Sequence, residues 1–147
     1  MTATNIEIAY AKVVEVMETL VGDDVDSPFK DVFAYPNASA KLFPFAIIDI
    51  EQGVQVDESS NMKILRQNFI VRCLFRQKST EAATIQRIRA LGLVVQKFTE
   101  SGVADYLDDT VIGMDLIRLD PFAISGADQP TFGFDVLIQC RMLMEVQ

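Results

Sequence analysis

Few residues of this 147-residue chain are of the types that perform chemistry. The sequence contains no histidine, which excludes Ser-His-Asp and Cys-His catalysis and histidine-based zinc sites. The nucleophile candidates Ser27, Ser79 and Cys73 have no plausible general base. The seven glycines are scattered at expected turns and helix ends, which excludes a glycine-rich phosphate loop. We therefore expect neither an enzyme nor a bound cofactor.

Two acidic clusters have compositions that occur in metal or polymerase sites. Gly22-Asp23-Asp24 is such a cluster, but a chain of 147 residues is far too small to be a polymerase. The aspartate spacing in residues 22–28 hints at a calcium loop, but the glycine and the distal glutamate of an EF-hand are missing. Asp108-Asp109 has no third ligand. We interpret both clusters as solvated turns and expect no bound metal.

Length and hydropathy favour one domain over residues 1–147. A chain of this length has enough volume for a hydrophobic core and little room for a second one. Half of its residues are hydrophobic, which an oligomer accommodates more easily than a monomer. No run approaches the ~18 apolar residues of a membrane helix, and the N-terminus lacks a signal-peptide pattern. We expect synthesis in the cytoplasm, no membrane partner, and reduced, core-packed Cys73 and Cys140.

The formal net charge of −8 is unevenly distributed along the chain. Residues 1–61 carry 3 Lys or Arg against 11 Asp or Glu, residues 62–97 carry 8 against 1, and residues 98–147 carry 2 against 9. Folding either intermixes these charges into an ordinary surface or places a basic face opposite an acidic face. Complementary faces favour head-to-tail contacts, which close into rings when the rotation allows. The negative net charge disfavours sequence-specific DNA binding.

The longest regular pattern occupies residues 132–146, where every second residue is apolar. These residues are Phe132, Phe134, Val136, Ile138, Cys140, Met142, Met144 and Val146. Successive side chains of a strand point to opposite faces, so the pattern predicts a half-buried β-strand. Its length of about 50 Å exceeds the diameter of about 38 Å expected for a compact domain of this size. We predict that the strand outruns its domain or bends, and that its spare apolar face meets another subunit.

Two helices are predicted on either side of the middle of the chain. Residues 4–21 carry one apolar stripe, begin with a capping box formed by Thr4 and Glu7, and end at Gly22. Residues 80–101 form the second helix. Its predicted inward stripe consists of Ile85, Ile88, Leu91, Gly92, Val95 and Phe98. Its predicted outer side carries Arg87, Arg89, Leu93, Gln96 and Lys97.

The remaining segments predict a mostly antiparallel sheet. Strands are predicted at residues 29–35, 46–51, 62–76 and 110–119. Residues 52–61 are polar and predict a flexible loop between the arms of a long hairpin. Residues 110–119 lack clean alternation, which predicts burial on both faces, and Asp120-Pro121 is predicted to stop this strand. The predicted fold class is α+β, with a mostly antiparallel sheet, a long hairpin and a long C-terminal strand, packed by two main helices.

The order of these elements resembles that of the tail terminator, or tail-completion, proteins of long-tailed bacteriophages. The residues that carry the resemblance are the helix at 6–21, the entry Phe43-Pro44-Phe45-Ala46-Ile47-Ile48, the arm Asn68-Phe69-Ile70-Val71, the helix at 80–101 and the terminal strand at 132–144. The resemblance implies a hexameric ring that caps the tail tube and joins it to the head connector. It further implies a helix-flanked sheet, an acidic bore through which DNA passes, and a place in the virion tail or neck. The implied partners are further copies of the chain, the tail tube protein and the head connector or neck proteins.

The resemblance gives several charged residues a physical role. An acidic bore would repel phosphate, so DNA would slide without sticking. Asp57 and Glu58 at the hairpin tip are candidates for a bore or docking element, or they form an exposed loop with no role. The basic middle segment would meet the acidic flanks across subunit boundaries. The candidate partner or bore contacts are Asp57, Glu58, Arg66, Arg72, Arg76, Arg87, Arg89, Leu137, Arg141 and Leu143.

Two other interpretations remain open. The chain is alternatively another tail component, such as a tube or baseplate-type protein. A dimeric α+β module that binds a small molecule belongs to a different class. The mass of the assembled particle separates these interpretations, because a hexamer favours the ring, a dimer favours the binding module and open filaments favour a tube protein.

Overall fold

The described residues form five strands and three helices. The computed structural model describes residues 4–22, 27–33, 43–59, 62–76, 80–124 and 131–145. The helices are α1 (Asn5–Glu18), α2 (Thr80–Lys97) and α3 (Glu100–Val103), and a 3-10 turn follows at Ala104–Tyr106. The strands are β1 (Asp31–Phe33), β2 (Phe45–Ser59), β3 (Met62–Arg76), β4 (Val111–Ile124) and β5 (Thr131–Glu145). Residues 23–26 of the acidic turn predicted at residues 22–28 lie outside the described residues.

The five strands form one sheet in the order β1-β2-β3-β5-β4. β1 pairs in parallel with β2, and the other neighbours pair antiparallel. α1 and α2 pack on one face, where Val13 of α1 and Val94 of α2 join the core cluster of the sheet. We call this the inner face and the opposite side the outer face. The predicted α+β class, with its long hairpin, long C-terminal strand and two main helices, is confirmed.

β5 is the long strand that the alternating pattern predicts, and it lies between β3 and β4. Its alternate residues from Phe134 to Met142 are fully buried on the inner face. Because α1 and α2 of the same chain cover that face, the prediction that it needs another subunit is wrong. The expected diameter of about 38 Å assumes a spherical domain. β3 and β5 are paired along 15 residues each, so the sheet itself is as long as the strand.

α1 begins as predicted and ends earlier than predicted. The Oγ1 atom of Thr4 accepts a hydrogen bond from the Glu7 N–H at 3.2 Å, which satisfies one of the unpaired donors of the first turn. The last helical residue is Glu18 rather than residue 21. The Gly22 N–H donates to the Phe29 carbonyl oxygen at 3.1 Å. This bridge draws the chain into an extended conformation, which another helical turn would prevent.

The side of α2 that packs against the sheet is not the side predicted from its apolar stripe. Leu91 and Phe98 pack against the core, but the other buried positions among the described residues of the helix are Ala90 and Val94, which are not in the predicted stripe. The exposed members of the predicted stripe are Ile85, Ile88, Gly92 and Val95. At 100° per residue the two apolar sides lie about 150° apart, so periodicity alone does not show which side packs. The small Ala90 side chain lets its side approach the sheet closely.

α2 also ends earlier than the predicted residue 101, because a second cap intervenes. The Oγ1 atom of Thr99 accepts a hydrogen bond from the Gly102 N–H at 3.2 Å and starts α3. A Cβ atom at Gly102 would lie only 2.5 Å from the Lys97 carbonyl oxygen. Glycine therefore permits the close return of the chain that separates α2 from α3, rather than simply ending a longer helix.

The arms of the hairpin extend through the segment that was predicted as a flexible loop. β2 continues to Ser59 and β3 begins at Met62, so the loop prediction for residues 52–59 is wrong. The polar composition of this segment is misleading, because cross-strand ion pairs replace apolar contacts near the hairpin end. Arg66 Nε lies 2.8 Å from Asp57 Oδ2 across the two strands.

Gln67 is a buried polar residue of β3 that lies opposite a β-bulge in β2. The register of β2 and β3 shifts between Ile50 and Val54. The side-chain Nε2 of Gln67 donates to the carbonyl oxygens of Glu51 and Asn68, at 2.9 Å each. A bulge removes a carbonyl from the regular ladder of strand hydrogen bonds, and the glutamine amide supplies a replacement partner.

β4 is an edge strand of the described sheet and runs through Pro121 to Ile124. The predictions that Asp120-Pro121 stops it and that both of its faces are buried are therefore wrong. Ile117 and Arg118 are exposed, and two register shifts against β5 explain the missing alternation. Proline is tolerated in an edge strand because the outward side of the strand has no ladder partner that requires its N–H.

Candidate assembly surfaces

Besides Asp57 and Arg76, which are described below, five candidate contact residues lie on the outer face of the sheet. By the register of β3 and β5, Arg66, Arg72, Leu137, Arg141 and Leu143 alternate with the buried residues of the core. Leu137 is buried, and its partners on the adjacent strands are Ile70 and Arg118. These five residues form one contiguous surface across β3 and β5.

The arginines of the outer face are paired with carboxylates of neighbouring strands. Arg72 donates through Nε to Asp135 Oδ1 at 3.0 Å and through Nη2 to Oδ2 at 3.4 Å. This hydrogen bond with Asp135 raises the pKa of Arg72. Arg141 Nε lies 3.2 Å from Asp115 Oδ2, in an ion pair whose geometry is not that of a hydrogen bond. Of the two interpretations of the charge distribution, this face favours an intermixed surface.

The candidate bore residues Asp57 and Glu58 lie near the end of the hairpin, each beside a cation. Besides the pair of Asp57 with Arg66, Lys63 Nζ lies 3.0 Å from Glu58 Oε1. The negative charge of each carboxylate is therefore balanced by a nearby cation, and these two residues do not form an unpaired acidic projection. A role of these residues in a bore remains a prediction.

Of the other three candidate arginines, Arg76 lies on the outer face at the end of β3, and Arg87 and Arg89 belong to α2. Arg76 stacks over the Phe43 ring at 4.4 Å and donates to Thr131 Oγ1 at 3.2 Å. Arg87, predicted on the outer side of α2, instead reaches toward the sheet, where its guanidinium lies 5.6 Å from the Phe132 ring centroid. Arg89 is exposed on α2. The ten candidates therefore belong to several surfaces and do not form one site.

Sequence reasoning missed two exposed apolar surfaces. The first, which we call the α2 ridge, consists of Ile85, Ile88, Gly92 and Val95. Its isoleucines are 61% and 63% exposed and its valine is 40% exposed, and a Cβ atom at Gly92 would meet no described atom within 4 Å. The second, which we call the β2 shelf, consists of Ile50 (52% exposed) and Val56 (46% exposed). The signal for the ridge was present in the sequence as a second apolar side of α2.

The shelf lies on the inner face, beyond the area that α1 and α2 cover. Ile50 pairs with Phe69 and Val56 pairs with Leu65, and both partners belong to the core cluster. Directly opposite residues of an antiparallel pair share a face. Among the described strands, β1 pairs with β2 only as far as Ile47, so β2 is the outermost strand at the shelf.

Asp108 has a structural role rather than that of a metal ligand. Its Oδ1 accepts hydrogen bonds from the N–H groups of Thr110 and Val111 at 2.8 Å each, and its Oδ2 lies 2.9 Å from Lys12 Nζ. The Val111 hydrogen bond, followed by that of Lys12, lowers the pKa of Asp108 to about 2. Within the described ranges no group of three His, Cys, Asp or Glu side chains is placed to hold a metal ion.

One open recess is lined by residues that the structure describes. It has a volume of about 650 Å³ and is lined by Asn5, Asp108, Asp109, Thr110, Ile112 and Leu143. Most of its lining is polar, whereas small-molecule sites are concave and mostly apolar. None of the described helices is long and apolar enough to span a membrane.

The two cysteines are free and buried, as predicted. Burial raises the pKa of Cys140 to about 12 and raises that of Cys73 well above its ordinary value. The thiolate is the nucleophilic form of cysteine, and it is strongly disfavoured at both positions. The folded protein therefore presents neither thiol for chemistry at neutral pH.

Comparison with known proteins gives a likeness of fold. No protein-family model matches the sequence, and no curated protein matches it. Among solved structures, the chain is similar to a chain from the virion of a native gene transfer agent (GTA) particle, with a TM-score of 0.57 and 12% identity. The match covers 97% of this chain and 100% of that chain. At this level of identity the match shows a shared fold, and that fold extends over nearly the whole molecule.

Proposed function

We propose that this chain is a structural component of a phage-like virion. The observation that carries the proposal is the shared fold with a virion chain over 97% of this molecule and the whole of that one. Fold alone does not specify function. Support from the molecule itself comes from the α2 ridge and the β2 shelf, since exposed apolar patches mark interaction sites.

The specific role that we propose is a ring, of six copies, at the head-proximal end of a tail. The order of elements resembles that of tail terminator proteins, which cap the tail tube and join it to the head connector. In this role the chain would end tube growth, contact the tail tube and neck proteins, and let DNA pass through the bore. The net charge of −8 supports passage of DNA without sequence-specific binding, because it repels phosphate.

We further propose that the role is structural rather than catalytic. The sequence contains no histidine, and both cysteine thiols are buried with raised pKa values. The arginines Arg72 and Arg141 are held in ion pairs across strands rather than directed at a shared pocket. These features support a structural role. We propose that the protein is assembled into virions in the host cytoplasm.

A second candidate is another tail component, such as a tube or baseplate-type protein, because a shared virion fold is compatible with either. Deleting the gene in the particle that encodes this chain separates the two. The ring proposal predicts filled heads beside unattached tails of uncontrolled length, and restoration of joined particles when the protein is supplied. Loss of all tails would instead favour a tube or baseplate component. Normal, joined tails of uniform length would contradict the proposal.

A further inference from the structure

The α2 ridge and the β2 shelf are two apolar surfaces of different shape on one chain. The ridge is a stripe along a helix, and the shelf is the inner face of a strand that contains a bulge. A helix that is apolar on two opposite sides is expected to be buried on both. α2 uses one of these sides against its own sheet, through Ala90 and Val94, and leaves the other exposed.

We propose that the α2 ridge of one copy packs on the β2 shelf of a second copy. The neighbour's helix would continue the layer that α1 and α2 form on the inner face, over the part of the sheet that they leave uncovered. This inference rests on the proposed assembly and specifies the surfaces that form it. Because the two surfaces differ, the contact is head-to-tail, and repeating it builds a ring or an open filament.

The lengths of the two surfaces match. Ile85 and Val95 are ten residues apart on the helix and therefore about 15 Å apart. Ile50 and Val56 lie opposite Phe69 and Leu65, which are four residues apart on β3, so the bulge leaves a distance of about 14 Å between them. One helix lying along the strand can therefore cover both shelf residues at once.

Charges at the rims fix the direction in which the helix lies on the shelf. Glu81 lies one turn before Ile85, on the line of the ridge, and Lys63 lies on the inner face two residues beyond the partner of Val56. Placing Ile85 over Val56 brings Glu81 to Lys63, which pairs with Glu58 of its own chain at 3.0 Å and would then be shared between two carboxylates.

The area of the contact suits one joint of a multi-copy assembly. A stable pair of proteins generally buries about 1,200 Å² or more of total surface, and four ridge residues on two shelf residues bury less. We therefore expect weak pairwise association that strengthens only when several joints close together. Proteins with surfaces of this kind are monomeric at low concentration and assemble at high concentration.

The test uses two lysine substitutions, one on each surface. Ile88→Lys places a charge on the ridge and Val56→Lys places one on the shelf. Each variant alone should lose self-association by roughly 30-fold or more, the loss typical of a central interface residue. Ile117→Lys, the same change at an exposed isoleucine outside both surfaces, is the matched control and should associate like the wild type. Circular dichroism confirms that each variant is folded.

Mixing the two variants gives the decisive result. Val56→Lys retains an intact ridge and Ile88→Lys retains an intact shelf, so the equimolar mixture should form a 1:1 complex and nothing larger. Analytical ultracentrifugation from about 1 μM to about 1 mM, a range set by the affinities of weak contacts, measures the species. A mixture that is still monomeric at about 1 mM, where a single weak joint should form, would overturn the inference, as would a wild type that is monomeric throughout.

The remaining outcomes separate this inference from the proposed function. A Val56→Lys variant that still associates would show that the ridge meets a copy of itself or a foreign partner, and the inference would be wrong. Rings formed equally by all variants would refute this contact and leave the proposed ring standing. A 1:1 complex of the two variants, together with normal tails in particles lacking the gene, would support the contact and refute the function.

Discussion

Asp108 allows a sharp test of the electrostatics, because its hydrogen bonds and its ion pair can be removed separately. Asp108→Asn retains an oxygen that can accept from the N–H groups of Thr110 and Val111 but loses the ion pair with Lys12. Asp108→Ala loses both. Urea unfolding as a function of pH, with the free energy of unfolding as the readout, distinguishes the two contributions.

The expected magnitude follows from the lowered pKa of Asp108. A carboxyl whose pKa falls from 3.8 to about 2 on folding contributes at most about 2.4 kcal/mol at neutral pH. The Asp108 side chain is 46% exposed, so we expect solvent screening to reduce this to about 1 kcal/mol. Asp108→Ala should lose about 1 kcal/mol more, because two N–H groups lose their acceptor.

The sign of the pH dependence follows from the direction of the shift. Since the folded-state pKa of Asp108 lies below its ordinary value, its contribution is complete above about pH 5 and is lost as the pH falls through 3.8 toward 2. The difference between wild type and Asp108→Asn should fall by about half at pH 3. Asp109→Asn removes the same formal charge one residue later and should change stability by less than about 0.5 kcal/mol. An Asp108→Asn difference that stays constant from pH 7 to pH 3 would refute the reasoning.

Three further predictions concern buried and paired groups. Gln67→Leu should destabilise the protein by about 1–2 kcal/mol in urea unfolding, because the Glu51 carbonyl loses its partner; an unchanged or more stable variant would contradict the role of the bulge. Cys140 should react with a thiol reagent only as fast as the fold opens, since burial raises its pKa to about 12, and rapid labelling of the native protein would show that it is accessible. A double-mutant cycle of Arg72→Met and Asp135→Leu should give a coupling of about 0.5–1 kcal/mol that weakens in 1 M salt; a coupling independent of salt would indicate that packing dominates the pair.

The sequence pattern predicts the elements that are periodic and compact in sequence. β5 follows from strict alternation, and the start of α1 follows from Thr4 and its hydrogen bond to the Glu7 N–H. The class α+β follows from the order of these elements. These features depend on local geometry, which residue spacing encodes directly.

The features that the sequence did not predict depend on contacts between distant residues. The side of α2 that packs is decided by the fit of Ala90 and Val94 to the sheet, and α2 is apolar on the other side as well. Residues 52–59 remain a strand because β3 supplies cross-strand partners such as Arg66. Pro121 continues β4 only because that strand lies at the edge of the described sheet. In each case the deciding neighbour is remote along the chain.

The candidate assembly surface shows the same limit. The ten candidate contacts were chosen mainly by charge, and the strand register places cations such as Arg72 and Arg141 beside carboxylates of their own chain. Fixed, paired charges contribute less to association than exposed apolar area does. The surfaces with most exposed apolar area, the α2 ridge and the β2 shelf, become visible only when the sheet and its helices are in place.

The position of the protein in assembled particles tests the central proposal most directly. Gold-labelled antibodies against this chain, applied to purified virions and viewed by electron microscopy, measure where along the particle it lies. A structural ring at the head-proximal end of the tail predicts a single label position at the junction of head and tail. Label spread along the tail, confined to its far tip, or absent from particles would contradict that account.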